Sequence, residues 1–85
     1  MTAPAMTPSR IAQYRAARIA AVKAAQRAHR DRAEARFEDF EFMLSTGETL
    51  ERALRRLGCT RTALFKCAQR YDRHDIVQLI TEATR

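Results

Sequence analysis

Nucleophilic, redox or metal chemistry in this 85-residue chain would have to start from Cys59, Cys67, His29 and His74. The two cysteines stand eight positions apart, which is not the short paired spacing of a zinc site, and a single bridge would not make a disulfide framework. Both fall on inward-facing helical positions, so they are expected as buried, reduced thiols. Each histidine is followed within two residues by an aspartate and has an arginine beside it, with no nucleophile nearby in sequence. His29 reads as a surface residue and His74 as part of the first turn of a last helix. There is no glycine-rich phosphate loop, no metal cluster and no pair of acids in an apolar setting. The expectation is a protein that is not an enzyme and takes no metal, cofactor or small-molecule substrate.

What remains is charge. The chain carries 16 basic and 10 acidic side chains, a net of +6. Residues 1–32 hold seven basic groups (Arg10, Arg15, Arg18, Lys23, Arg27, Arg30, Arg32) against Asp31, which accounts for the whole excess, because residues 33–85 hold nine of each sign. An asymmetry of this kind describes an arm for a polyanion joined to a nearly neutral module. Lys23, Arg27 and Arg30 share one helical face and suit contacts along phosphates. The competing reading is a solvated Ala-rich helix that dimerises or packs back on the module. A membrane-surface role lacks the Leu and aromatic face it would need.

The elements that must position these groups are all helical. Only two glycines (Gly47, Gly58) and two prolines (Pro4, Pro8) occur, β-branched residues are sparse, and period-two alternation is absent. Residues 1–8 read as a disordered leader, with Thr7 and Pro8 resembling an N-cap followed by a first-turn proline. Residues 9–32 form a basic, Ala-rich helical arm whose larger apolar side chains are Ile11, Tyr14, Ile19 and Val22. The stripe is weak, since alanine buries little area at about 25 cal/mol per Å². Residues 33–85 form the folded domain. Phe37, Phe40, Met43 and Leu44 mark one face of a helix, with Glu34, Glu38, Asp39 and Glu41 on a solvated face. Nothing from Ser9 to Gly47 is obliged to break a helix, so the sequence leaves open whether this helix continues the arm or joins it where charge changes sign, at residues 31–34. Gly47 ends this helix, and Thr49 caps the next, built on Leu50, Ala53, Leu54 and Leu57. Gly58 ends that one. Thr60 caps a third, with Leu64, Phe65, Cys67, Ala68 and Tyr71. Asp72, with Asp75 as partner in a shortened capping box, opens a last helix on Ile76, Val77, Leu79 and Ile80. No run of residues is apolar and long enough to cross a bilayer, the N-terminal segment lacks a secretory pattern, and a reducing cytoplasm is the expected location.

The stretch TLERALRRLGCTRTALFKCA, residues 49–68, joins two short amphipathic helices through Gly58, with Cys59 turned inward and Thr60 as cap. Two helices meeting through so short a turn, often with glycine, are the mark of a helix-turn-helix. Residues 46–75 resemble the helix-turn-helix DNA-binding proteins of actinobacteria and their phages, of the short regulator type, with the motif at 49–70. One position departs from the pattern: the residue four before the turn glycine is normally alanine and here is Leu54, with Ala53 one step earlier. The resemblance implies that the helix after the turn reads DNA, with Arg61, Thr62, Phe65, Lys66 and Gln69 facing base edges. Arginine suits guanine, glutamine suits adenine, and threonine or an aromatic edge suits the thymine methyl. Arg55, Arg56, Thr60 and Arg70, with Lys23, Arg27 and Arg30 of the arm, are the phosphate candidates, which position the protein without reading sequence.

The expected function is sequence-directed binding of double-stranded DNA, as by a small phage or prophage transcriptional regulator. So small a module is expected to work as a homodimer on a two-fold site. The alternative is a helical adaptor that binds a host or phage protein through the bundle and the basic arm.

Overall fold

In a computed structural model that describes residues 8–85, the chain is all-helical, with four helices: α1 (Pro8–Ser45), α2 (Leu50–Leu57), α3 (Arg61–Arg70) and α4 (His74–Thr84). The expected leader lies outside the described residues except for Pro8, which is the first residue of α1, and the Thr7 cap lies outside them too. At 1.5 Å per residue α1 is about 57 Å long. It gives the molecule extents of 70 × 21 × 18 Å and a radius of gyration of 20.4 Å, against about 12 Å for a compact chain of this length.

The change of charge at residues 31–34 makes no joint. α1 runs through it without a break, because the residues there (Asp31, Arg32, Ala33, Glu34) include neither glycine nor proline and the charge change costs the backbone nothing. What changes at that point is burial. In α1 before Ala33 no residue is buried; Ala33, Phe37 and Phe40 then enter the core. They meet Ala53 of α2, Leu64 and Ala68 of α3, and Ile76 and Ile80 of α4. α1 packs on α2, α3 on α4, and α2 also meets α4. Burying Phe37 and Phe40 contributes about 2–3 kcal/mol each, so the domain rests on a core of a few side chains. Ala53, not Leu54, is the fully buried small residue of α2, and Leu54 is half-buried beside it. α2 is therefore turned by one position relative to the pattern in which alanine stands four before the glycine. Cys59 and Cys67 are free and only half-buried at the edge of the core.

All three turns end the preceding helix in the same way. Gly47 and Gly58 take φ +91° and +70°, and the paired backbone bonds of a Schellman motif close each helix. After α1, Gly47 donates to Leu44 and Glu48 to Met43, both at 3.1 Å. After α2, Gly58 donates to Arg55 and Cys59 to Leu54, both at 3.2 Å. After α3 the same pair runs from Asp72 to Gln69 at 3.2 Å and from Arg73 to Ala68 at 2.8 Å, with Asp72 at φ +55°. The first two turns leave one residue between the left-handed position and the next cap. Thr49 then accepts from the Arg52 amide at 3.3 Å, and Thr60 from the Ala63 amide at 3.1 Å.

The third turn is one residue shorter, and here the expected Asp72 cap is wrong. An N-cap needs extended backbone, whereas Asp72 is already left-handed to close α3. Arg73 takes the N-cap position of α4 without a side-chain cap bond, and Asp75 binds the Arg73 guanidinium at 3.0 and 2.9 Å instead of completing a capping box.

Candidate nucleic-acid interface

α3 is flanked by two grooves, and the residues singled out in the sequence divide between them. One face of α3 is held inward by Leu64 and Ala68, so Thr62, Lys66 and Gln69 stand exposed on the other side with Arg61 and Arg70. Arg61, Thr62, Phe65, Lys66 and Gln69 all border a groove of about 470 Å³ whose other wall is Ile80, Thr81, Thr84 and Arg85 of the C-terminal helix. Phe65 is the one member of the set that does not stand outward: it is half-buried and packs against the core. Its ring therefore floors the groove with Ile80, while the polar members form the rim. A helix of ten residues is about 15 Å long, and the DNA major groove is about 12 Å wide, so an exposed α3 face has the dimensions for entry.

The second groove, about 940 Å³, lies between the arm of α1 and the C-terminal end of α3. Lys23, Arg27, Arg30, Arg32, Arg36 and Arg70 line it with Gln26, His29 and Tyr71, and no carboxylate does. Arg30 sits 5.9 Å from the centroid of the Tyr71 ring, a cation–π contact that ties the arm to the end of α3. Arg32 donates to His29 Nδ1 at 2.8 Å, which fixes His29 as an acceptor at that nitrogen. The structure thus brings Lys23, Arg27 and Arg30 of the arm together with Arg70 of α3. The sequence placed these four in two unrelated segments, and Arg32 and Arg36 were missed. Their signal was available, since both lie within one turn of Ala33, where the arm first meets the bundle.

The remaining phosphate candidates are unequal. Arg55 is exposed and carries no ion pair among the described residues. Arg56 is engaged by Glu48, so a phosphate would have to displace that carboxylate. The Thr60 hydroxyl oxygen already accepts from Ala63 as a cap, which leaves its O–H free to donate.

Two of the acids of α1 are drawn to Arg73 and not to the basic groove. Glu34 and Glu41, expected on a solvated face, bind Arg73, the latter at 3.1 Å, and Arg73 also takes Asp75 and lies 5.3 Å from the Phe37 ring centroid. The guanidinium hydrogen bond holds the Asp75 carboxyl well below the usual carboxylate range, and Arg73 itself is pushed further up by the same bond. Burial, then the hydrogen bond with Asp75, raises Glu41. Sequence reading passed over Arg73 because a partner 39 residues away leaves no local pattern. Burial also pushes the Cys59 thiol up, which keeps it protonated and unreactive. Among the described residues no group of His, Cys, Asp and Glu is placed to hold a metal ion, and no helix is long and apolar enough to cross a membrane.

Comparison with known protein families, with curated proteins and with solved structures finds no match to this chain.

Proposed function

We propose that this chain binds double-stranded DNA in a sequence-directed way, as a small phage- or prophage-type transcriptional regulator, with α2 and α3 acting as a helix-turn-helix and α3 as the reading helix. The observation that carries the reading is the groove of six cations without an acid, which adjoins the exposed face of α3. Two unit charges about 8 Å apart in water repel by about 0.5 kcal/mol before screening, so gathering six of them is unfavourable until an anion arrives. A row of phosphates supplies that anion at regular spacing. In this reading Arg27, Arg30 and Arg70 hold the backbone while Arg61, Lys66 and Gln69 meet base edges. The protein works in the cytoplasm as a homodimer.

The experiment is fluorescence anisotropy on a random duplex and on a pool selected from genomic fragments, across a salt series. Arg61→Ala/Lys66→Ala is expected to abolish preference for the selected pool while retaining weak binding to both. Arg27→Ala/Arg70→Ala is expected to weaken both equally and to flatten the salt dependence. Absence of binding at low salt would overturn the reading.

A second reading rests on the other groove. Its walls are mostly apolar, from Phe65, Ile80 and the methyl groups of Thr81 and Thr84, which suits the apolar face of a partner helix. An adaptor of this kind would lose partner binding on Phe65→Ala and tolerate Arg61→Ala/Lys66→Ala.

A further inference from the structure

α1 has a second face that the bundle does not use. Tyr14, Ala21, Ala28, Ala35 and Phe42 recur at every seventh position, so they run along one side of the helix with a drift of about 20° per repeat. That side points away from Phe37 and Phe40, which enter the core. Ala35 is exposed although it lies within the segment that packs on the bundle, and Phe42, two residues from fully buried Phe40, is 68% exposed. Tyr14 at the other end is 59% exposed and Ala21 is exposed, while Ala28 between them is half-buried. The pattern is an aromatic, three alanines and an aromatic, and it reads the same in both directions about Ala28.

Charge along α1 has a matching polarity. Residues 8–27 carry five cations and no acid; residues 29–45 carry five acids and three cations. Of the acids, Glu34 and Glu41 are taken by Arg73, while Asp31, Glu38 and Asp39 are exposed with no ion pair among the described residues. Two copies side by side in parallel would set five cations against five. Antiparallel, each basic half meets the other's acidic half.

We infer that two copies of this chain pair through α1, antiparallel, about a two-fold axis at Ala28. The second copy's Phe42 then lies level with Tyr14, its Ala35 with Ala21, and Arg18 falls level with Glu38 and Asp39. Alanine at the three central layers lets the helix axes approach closely, and the aromatic pairs close both ends. The bundles and their basic grooves stay on the outer sides, so the pairing does not rest on DNA binding and does not block it. The strip is about 43 Å long and one helix face wide, which puts it at the small end of specific interfaces, so association in the micromolar range is expected.

The test is sedimentation equilibrium of the full chain at low and high salt, with circular dichroism as a control for helix content. A dimer that weakens with salt is expected. Ala28→Glu, which sets two carboxylates face to face on the axis, is expected to weaken it at least tenfold without loss of helix. Arg18→Glu is expected to do the same, and Arg18→Glu combined with Glu38→Arg and Asp39→Arg to restore it. Under mild oxidation Ala28→Cys should cross-link through residue 28, whereas Ala24→Cys should not, since its two copies would lie about 12 Å apart along the axis. A monomer at all concentrations up to roughly 300 µM, or equal cross-linking at both positions, as parallel helices would give, overturns the inference.

Discussion

Arg73 and Asp72 show how much a single short turn decides. Asp72 holds a left-handed backbone that glycine holds at the two other turns. Asx residues tolerate that region but do not prefer it as glycine does. Asp72→Gly is therefore expected to raise stability by about 0.5–1 kcal/mol, read as a shift of the urea midpoint with the slope unchanged. Arg73 is the larger matter. It is 25% exposed, serves three carboxylates and covers the Phe37 ring. Removing it leaves those acids without a counter-charge, and Arg73→Ala is expected to cost about 2–3 kcal/mol. Its pH signature follows from the two acids. Asp75 is held below its ordinary value of 3.8, so the stability it contributes is present above that pH and is lost as pH falls below it. Glu41 is raised above 4.5, and its contribution runs the other way, present below that value and lost as pH rises. With Arg73 gone the first contribution disappears and the second grows. Thermal melts of Arg73→Ala should show stability rising more steeply as pH falls from about 6 to 4 than in the parent, where Glu41 is raised less because Arg73 opposes the shift. A parallel profile in both proteins would count against the hub.

At the scale of elements, local signals were the legible ones. Thr49 and Thr60 cap where a threonine precedes an apolar face, and Gly47 and Gly58 close the helices before them, because each device needs only neighbours in sequence. The core face of α1 was legible from Phe37 and Phe40 for the same reason. Three things were not. The continuity of α1 through residues 31–34 stayed open, because the absence of a breaker permits a helix across a change of charge without imposing one. The Asp72 cap failed because two helix-end signals claim one residue. The basic groove joins Arg70 to Lys23 across a distance in sequence that no spacing rule covers. The arm has its own test. In α1 before Ala33 no residue is buried, so removing residues 1–22 is expected to leave the denaturation midpoint of the bundle within error. Replacing Lys23, Arg27 and Arg30 together by alanine should keep the fold too, and lower the log–log salt slope of duplex binding by about 0.9 for each phosphate that is no longer neutralised. An unchanged slope would remove the arm from the nucleic-acid interface.

At the scale of the whole molecule, a bundle with so small a core on a rod three times its width poses a question that neither part answers alone. An exposed 38-residue helix has little to hold it beyond its own hydrogen bonds over the half that carries no core residue, and short Ala-rich helices in water are marginal. Pairing through Ala28 would steady that half and, at the same time, set two reading helices a fixed distance apart. The two proposals then make a joint prediction that neither makes separately. If α1 fixes the separation, DNA affinity should depend on half-site spacing with the period of the double helix, about 10 base pairs. Inserting about five base pairs between selected half-sites turns one of them to the opposite side of the duplex. The parent protein should lose most of its advantage over a single half-site on that operator and regain it at about ten. Ala28→Glu, unable to pair, should bind every spacing equally and only as well as it binds one half-site. Dependence on spacing that survives Ala28→Glu would mean that some surface other than α1 joins the two copies when they sit on DNA.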